Sequence, residues 1–244
     1  MGLTVVVTAL ALAAGWGVAA AVAAGLAAAA GCGLLNGALI AFTGLPPFIA
    51  TLGMLSIARG GAYFLSGGRT ISSLPESFTG FGQGFVGGVL PWPVVVMLAA
   101  TAAGAVLMRF TVFGRAVHAL GGSEEAVVLS GVSAVRLKLW VYALAGLFAG
   151  IAGVTYVARF GYGASTAGVG YELQVISAVV IGGTSLAGGD GTVLGSMLGA
   201  AVMGLLTNGL TLTNIPEEYN QFVVGLVIIL AVLADRWRHR RARA

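Results

Sequence analysis

The chain has 244 residues, of which 58% are hydrophobic and 8% charged, with a formal net charge of +4. A soluble domain carries about 25% charged residues because its surface must face water, so most of this surface faces something else. These proportions exclude a disordered chain, a nucleic-acid-binding domain, a disulfide scaffold and an ordinary cytosolic enzyme. At roughly 20 residues per membrane crossing, the length accommodates about eight crossings.

Along the chain, no charged residue occurs between Met1 and Ala58. The first residues lack the basic flank of a secretory signal, so this stretch is read as staying in the membrane. Gly44, Pro46 and Pro47 break the long apolar run, because proline pairs end helices. The reading is a short first segment to about residue 15, a second span at 16–42 and a third at 48–65. A loop at 66–90, rich in Gly, Ser and Pro and carrying Arg69 and Glu76, leads to a fourth span at 91–108. The longest polar insert, 111–136, precedes a fifth span at 138–158. A Gly- and Ser-rich link at 161–170 leads to a sixth segment at 171–181, too short to cross as one clean helix. A seventh span at 192–212, a polar turn at 214–218 and an eighth span at 219–234 precede the basic tail DRWRHRRARA. Cys32 lies in an apolar run and reads as a small buried hydrophobe.

Basic loops stay on the cytoplasmic side. With the tail inside, alternation of the spans places Arg109, Arg115, Arg136, Lys138, Arg236, Arg238, Arg240, Arg241 and Arg243 on one side, leaving Arg59, Arg69 and Arg159 opposite. This distribution predicts a cytoplasmic insert and a cytoplasmic C-terminus. The tail is read as a positive-inside anchor, with Trp237 near the headgroups, and not as a nucleic-acid site.

Glycine occurs 40 times, and the pairs Gly33/Gly37, Gly146/Gly150 and Gly195/Gly199 stand four residues apart. That spacing lets helix backbones approach closely where lipid removes any hydrophobic drive to associate.

Two segments carry most of the functional signal. In the insert TVFGRAVHALGGSEEAVVLSGVSAVR, Ser123 is placed to cap a short helix, with Glu124 and Glu125 in its first turn and Ser130-Gly131 ending it. Flanking glycines suit a segment that docks as a unit into a partner. The second segment, IGGTSLAGGDGTVLGSMLG, has the look of a broken helix, tolerated at membrane depth only against protein or a watery cavity. It is not a phosphate-binding loop, because no Gly-Lys-Ser/Thr follows. Gly182, Gly183, Thr184, Ser185, Gly188 and Gly189 from this segment, with Asn208 beyond it, are the candidate pore or gate residues. The G-x-G-x-x-G string beginning at Gly82 lacks a strand before it and a helix after it, so it is set aside as a dinucleotide site.

Ionisable groups are sparse in the spans: only Arg59, Arg159 and Glu172 come close, each near an expected outer boundary. A proton-coupled carrier needs a buried acid or histidine, which weakens that reading. His118 and His239 lie in different segments, so no metal site is expected, and no catalytic constellation can be assembled.

Taken together, the stretches PPFIATLGMLSIARGGAYFLSGGR, GRAVHALGGSEEAVVLSGV, IGGTSLAGGDGTVLGSMLGA and TNGL resemble the permease subunits of bacterial ABC importers for simple sugars, the ribose-transport type within the branched-chain-amino-acid-like permease superfamily. The resemblance implies one transmembrane permease domain over residues 1–244, with a coupling loop at 111–137 and a cytoplasmic tail at 235–244, in a bacterial plasma membrane. It implies an all-α, polytopic transmembrane helix bundle of about eight spans, missing the first two of a permease with about ten.

It further implies partner-ATPase coupling through Gly114, Arg115, Gly121, Gly122, Ser123, Glu124, Glu125, Ala126 and Gly131. ATP and magnesium would sit on that partner and no cofactor on this chain. An extracytoplasmic sugar-binding protein would address the outer loops, and a second permease copy would complete a dimeric pore. The alternatives are an ATP-independent secondary carrier for a small polar solute and a non-transporting membrane scaffold.

Overall fold

The computed structural model describes residues 1–213 and, beyond them, Tyr219, Phe222, Val223, Gly225, Leu226, Val227 and Ile229. In chain order its elements are α1 (Gly2–Ala13), α2 (Val18–Thr43), α3 (Pro47–Ser66), α4 (Glu76–Gln83), β1 (Phe85–Val86), β2 (Leu90–Pro91), α5 (Trp92–Phe110), α6 (Val112–Gly122), α7 (Glu124–Leu129), α8 (Ala134–Phe160), α9 (Tyr171–Ile181) and α10 (Val193–Leu212). Among the described residues five helices, α2, α3, α5, α8 and α10, are long and apolar enough to cross a membrane, while α1 and α9 are shorter apolar helices. The chain is therefore a mostly helical, multi-pass membrane protein. Of the eight expected spans, the one at 219–234 lies, with the tail, outside the described residues but for the few positions named above.

The described chain forms two compact units. One comprises Met1–Ala100 with Ser133–Gly168; the other comprises Thr101–Val132 with the chain from Val169 onward. In the first unit, α2 and α8 pack antiparallel along most of their lengths. Gly37 lies on Leu139, Gly33 on the Tyr142 carbonyl, Gly146 on the Ala29 carbonyl and Gly150 on Leu26 and Ala29. Both glycine pairs singled out in this part of the sequence therefore fall on one helix crossing, where missing side chains bring backbone onto backbone.

Helix α1 packs into this unit through Val5, Ala9 and Leu12, which join Ala21, Phe78, Val157, Ala158 and Ala167 in one buried cluster. Thr4 and Thr8 are almost wholly buried and face Gly25 of α2.

Two stretches expected to be loop or link have more structure than the sequence reading assigned. Residues 66–91 contain α4 and a small antiparallel hairpin, β1 against β2, so the all-α class needs that hairpin added. Gly82 lays α4 directly on the Ala158 backbone of α8. The hairpin closes through Gly87, Gly88 and Val89, with Val89 N–H donating to the Val86 carbonyl and φ of 61° and 75° at the two glycines, the left-handed region that this turn demands.

The 161–170 link is likewise anchored. Gly163 exchanges two backbone hydrogen bonds with Ile71, each 2.8 Å, and lies on Val5 and Ala9 of α1, while Gly168 reaches Met1. The segment thus runs back along α1 as irregular chain packed against protein, with Gly163 and Ala167 buried. The residues that could have lengthened α9 into a full crossing are used in this way.

In the second unit, α9 and α10 form an antiparallel pair, with Gly199 on the Ala178 carbonyl and Gly195 on the Gly182 carbonyl. Thr192 caps α10 by accepting the Gly195 N–H at 3.0 Å. Thr192→Ala is expected to cost about 1 kcal/mol, because an exposed orphan donor of the first turn loses its partner. Faster amide exchange at Gly195, restored by Thr192→Ser, checks this.

Candidate functional site

The site is built on α6, α7 and the glycine-rich loop at 182–192, all in the second unit. At the α5–α6 corner, Thr111 donates to the Leu107 carbonyl at 2.6 Å and accepts from the Gly114 N–H at 3.1 Å. Gly114 sits on the Met108 backbone, which no Cβ would permit. This closed corner fixes the direction of α6, with Arg115 exposed on its first turns.

Helix α6 is an element that the sequence reading left as undivided insert. It ends at Gly121 and Gly122, and Ser123 starts α7 by accepting the Ala126 N–H at 3.2 Å. Glu124 and Glu125 occupy the first turn of α7, where the helix dipole favours negative charge. Ser130 donates back to the Ala126 carbonyl at 2.8 Å, and Gly131 turns the chain with φ +80°. Only Val127 of α7 is buried. Leu129 is 83% exposed and Val128 is 55% exposed. An exposed apolar edge beside two carboxylates, on a short helix held at both ends, has the form of a docking surface.

The loop is held by hydrogen bonds of ordinary length. Ser185 N–H donates to the Asp190 carbonyl at 2.9 Å, Gly188 N–H to the Ser185 carbonyl at 3.2 Å, and Thr184 Oγ1 meets Ser196 Oγ at 3.3 Å. Gly183, Gly188 and Gly189 have φ of 84°, 93° and 83°, so the fold of the loop depends on them.

The loop and α6 meet. Gly121 lies on the Gly189 backbone, and a Cβ at Gly188 would stand 2.7 Å from the Gly121 carbonyl oxygen. One turn earlier, His118 Nδ1 is 2.9 Å from the Gly189 carbonyl oxygen. A carbonyl only accepts, so Nδ1 carries the proton in this contact.

Six of the seven candidate pore or gate residues, Gly182 through Gly189, therefore belong to the loop that abuts the candidate coupling residues Gly121 and Gly122. Asn208 is not with them: it is exposed on α10, roughly 22 Å further along at 1.5 Å per residue. In the sequence, His118 carries only the expectation that its separation from His239 rules out a metal site. Its partner is a backbone carbonyl 71 residues away, which no residue pattern encodes.

Among the described residues no three His, Cys, Asp or Glu side chains come together as metal ligands. A cavity of about 400 Å³ in the first unit is lined mostly by apolar groups, Phe78, Phe81, Trp92 and Val154 among them, with Ser77 and Thr155 and no charged side chain. Among the described residues, Thr8 Oγ1 and Asn36 Oδ1 are buried and meet no hydrogen-bond partner.

Residues 1–232 match the family model described as branched-chain amino acid transport system / permease component. The chain is 41% identical over 203 residues to the ribose import permease protein RbsC of Bacillus subtilis (strain 168), covering 82% of this chain and 63% of that protein. It is 41% identical over 219 residues to RbsC of Escherichia coli (strain K12), covering 88% of this chain and 68% of that protein. It is 38% identical over 213 residues to the L-arabinose ABC transporter permease protein AraH of Azospirillum brasilense, covering 87% and 62%. The chain thus spans a little under two thirds of the length of two of these relatives. No solved structure matches.

Proposed function

Because the chain belongs to the family of branched-chain amino acid transport system permease components, we propose that it is the translocation subunit of an ATP-driven importer for a simple sugar such as ribose. The observation that carries this reading is the 41% identity to ribose import permeases across most of the chain. It is not an enzyme. A pair of cytoplasmic ABC ATPase subunits binds ATP and magnesium and drives the pore between outward-open and inward-open states.

The insert between α5 and α8 and the C-terminal tail face the cytoplasm, an orientation supported by the concentration of basic residues there. The ATPase docks on α6 and α7, through Gly114, Arg115, Gly121, Gly122, Ser123, Glu124, Glu125, Ala126 and Gly131. The acidic first turn and exposed Leu129 suit a groove with a basic rim and an apolar floor. An extracytoplasmic sugar-binding protein delivers substrate to the hairpin side, and a second copy of the chain completes the pore. The loop from Gly182 to Gly189 is the gate element, with Asn208 on the pore side of α10.

The test is D-ribose uptake into proteoliposomes holding the full complex of permease, ATPase and binding protein. Uptake that requires ATP and the binding protein is expected. Uptake driven by an ion gradient without the ATPase would replace this reading with a secondary carrier. No uptake under either driving force would leave a scaffold.

A further inference from the structure

We infer that the glycine-rich loop at 182–192 is a rigid relay between the docking helices and the α9–α10 pair, and that His118 is the positioning residue that latches it. This deepens the importer reading and rests on it.

Where Gly121 and Gly122 meet the loop, backbone lies directly on backbone. Gly121 and Gly122 on α6 face Gly188 and Gly189 on the loop, and a Cβ at Gly189 would stand 3.3 Å from both the N and the Cα of Gly122. Side chains at a contact can change rotamer and absorb a small displacement. Peptide planes in direct contact cannot, so a shift of α6 moves the loop with it.

The far side of the loop is equally stiff. Gly182 and Gly195 place the α9 and α10 backbones in contact, Gly191 sits against Thr184, and the Thr184–Ser196 hydroxyl contact ties the loop to the first turn of α10. Movement delivered to Gly188 and Gly189 therefore reaches α9 and α10 as one body.

Steric contact only pushes. A relay that also pulls on the return stroke needs an attractive bond, and across this contact His118 Nδ1–H donates to the Gly189 carbonyl. The histidine stands one turn before Gly121 and Gly122, so the latch and the glycine contact share one face of α6. The contact needs a donor at the Nδ1 position and does not need a charge. Asparagine places its amide N–H at nearly the same distance from the backbone, whereas glutamine places it one bond further out.

The experiment uses the reconstituted complex with D-ribose as probe and reads uptake per ATP hydrolysed. Hydrogen exchange at 182–192 is followed with and without ATP. Size-exclusion elution and ATPase co-purification check that each variant is folded and assembled. His118→Ala and His118→Gln are expected to keep assembly and basal hydrolysis, to lower the uptake-to-hydrolysis ratio at least tenfold and to abolish the ATP-dependent change in exchange. His118→Asn is expected to restore at least half of the ratio.

Wild-type coupling in His118→Ala, or failure of Asn to restore more than Gln, would overturn the relay and leave the importer reading standing. A wild-type complex with neither ATP-driven uptake nor an ATP-dependent exchange change would overturn both.

Discussion

Gly146→Leu is expected to destabilise the first unit strongly. Its Cβ would fall on the Ala29 carbonyl oxygen and stand 3.1 Å from Gly33 Cα. Both are backbone atoms in the middle of α2, so neither can turn aside, and the whole helix would have to shift. Helices in lipid associate by close packing and not by exclusion of water, so separated backbones are not compensated by burial of the new leucine. Overpacking of this kind costs about 3 kcal/mol. For a chain of this size that corresponds to a fall of roughly 6–12 °C in the thermal midpoint in detergent. Gly53→Leu, on α3 with nothing within 4 Å of the added Cβ, is the matched control and is expected to leave the midpoint unchanged. Equal midpoints for the two variants would show that the α2–α8 crossing does not depend on backbone approach.

Gly122→Pro is expected to give the largest loss of function with the fold intact. Gly122 lies in the last turn of α6, and no atom stands within 4 Å of an added Cβ, so space is not the constraint. Proline removes the N–H that the last helical turn uses and drives its ring toward the His118 carbonyl, a penalty of roughly 3 kcal/mol within a helix. The last turn opens, and with it the junction between α6 and Ser123, the cap of α7. Membrane insertion should persist, because neither α6 nor α7 is among the helices long and apolar enough to cross a membrane. ATP-driven uptake should fall at least tenfold while hydrolysis continues. Gly122→Ala, which keeps the N–H, should transport at close to the wild-type rate. Normal uptake by the proline variant would mean that the α6–α7 junction carries no coupling.

Much of this was legible in the residues. The three glycine pairs chosen for their spacing all lie at helix crossings, because a missing Cβ at a repeat of four is a local property that decides where backbones can touch. The cap at Ser123, the acidic first turn and the stop at Ser130-Gly131 were likewise readable, since each depends on hydrogen bonds within a few residues. The hairpin at 85–91 was not. Its two-residue strands are too short for any alternation of hydrophobicity to register, and only Gly87-Gly88 hinted at a turn.

The sequence by itself determined that this chain is a multi-pass helical membrane protein, where most of its helices begin and end, and which family it belongs to. Composition, proline and glycine punctuation and caps act over one or two turns, so they survive without knowledge of the fold. Only the tertiary structure decided that residues 161–168 retrace α1 and leave α9 short, and that the glycine-rich loop meets α6 at Gly121, with His118 holding Gly189. Those contacts join groups from some 70 to more than 150 residues apart and, His118 aside, are made largely by glycines and carbonyls. Such groups have no side-chain signature, and what they touch is set by packing alone.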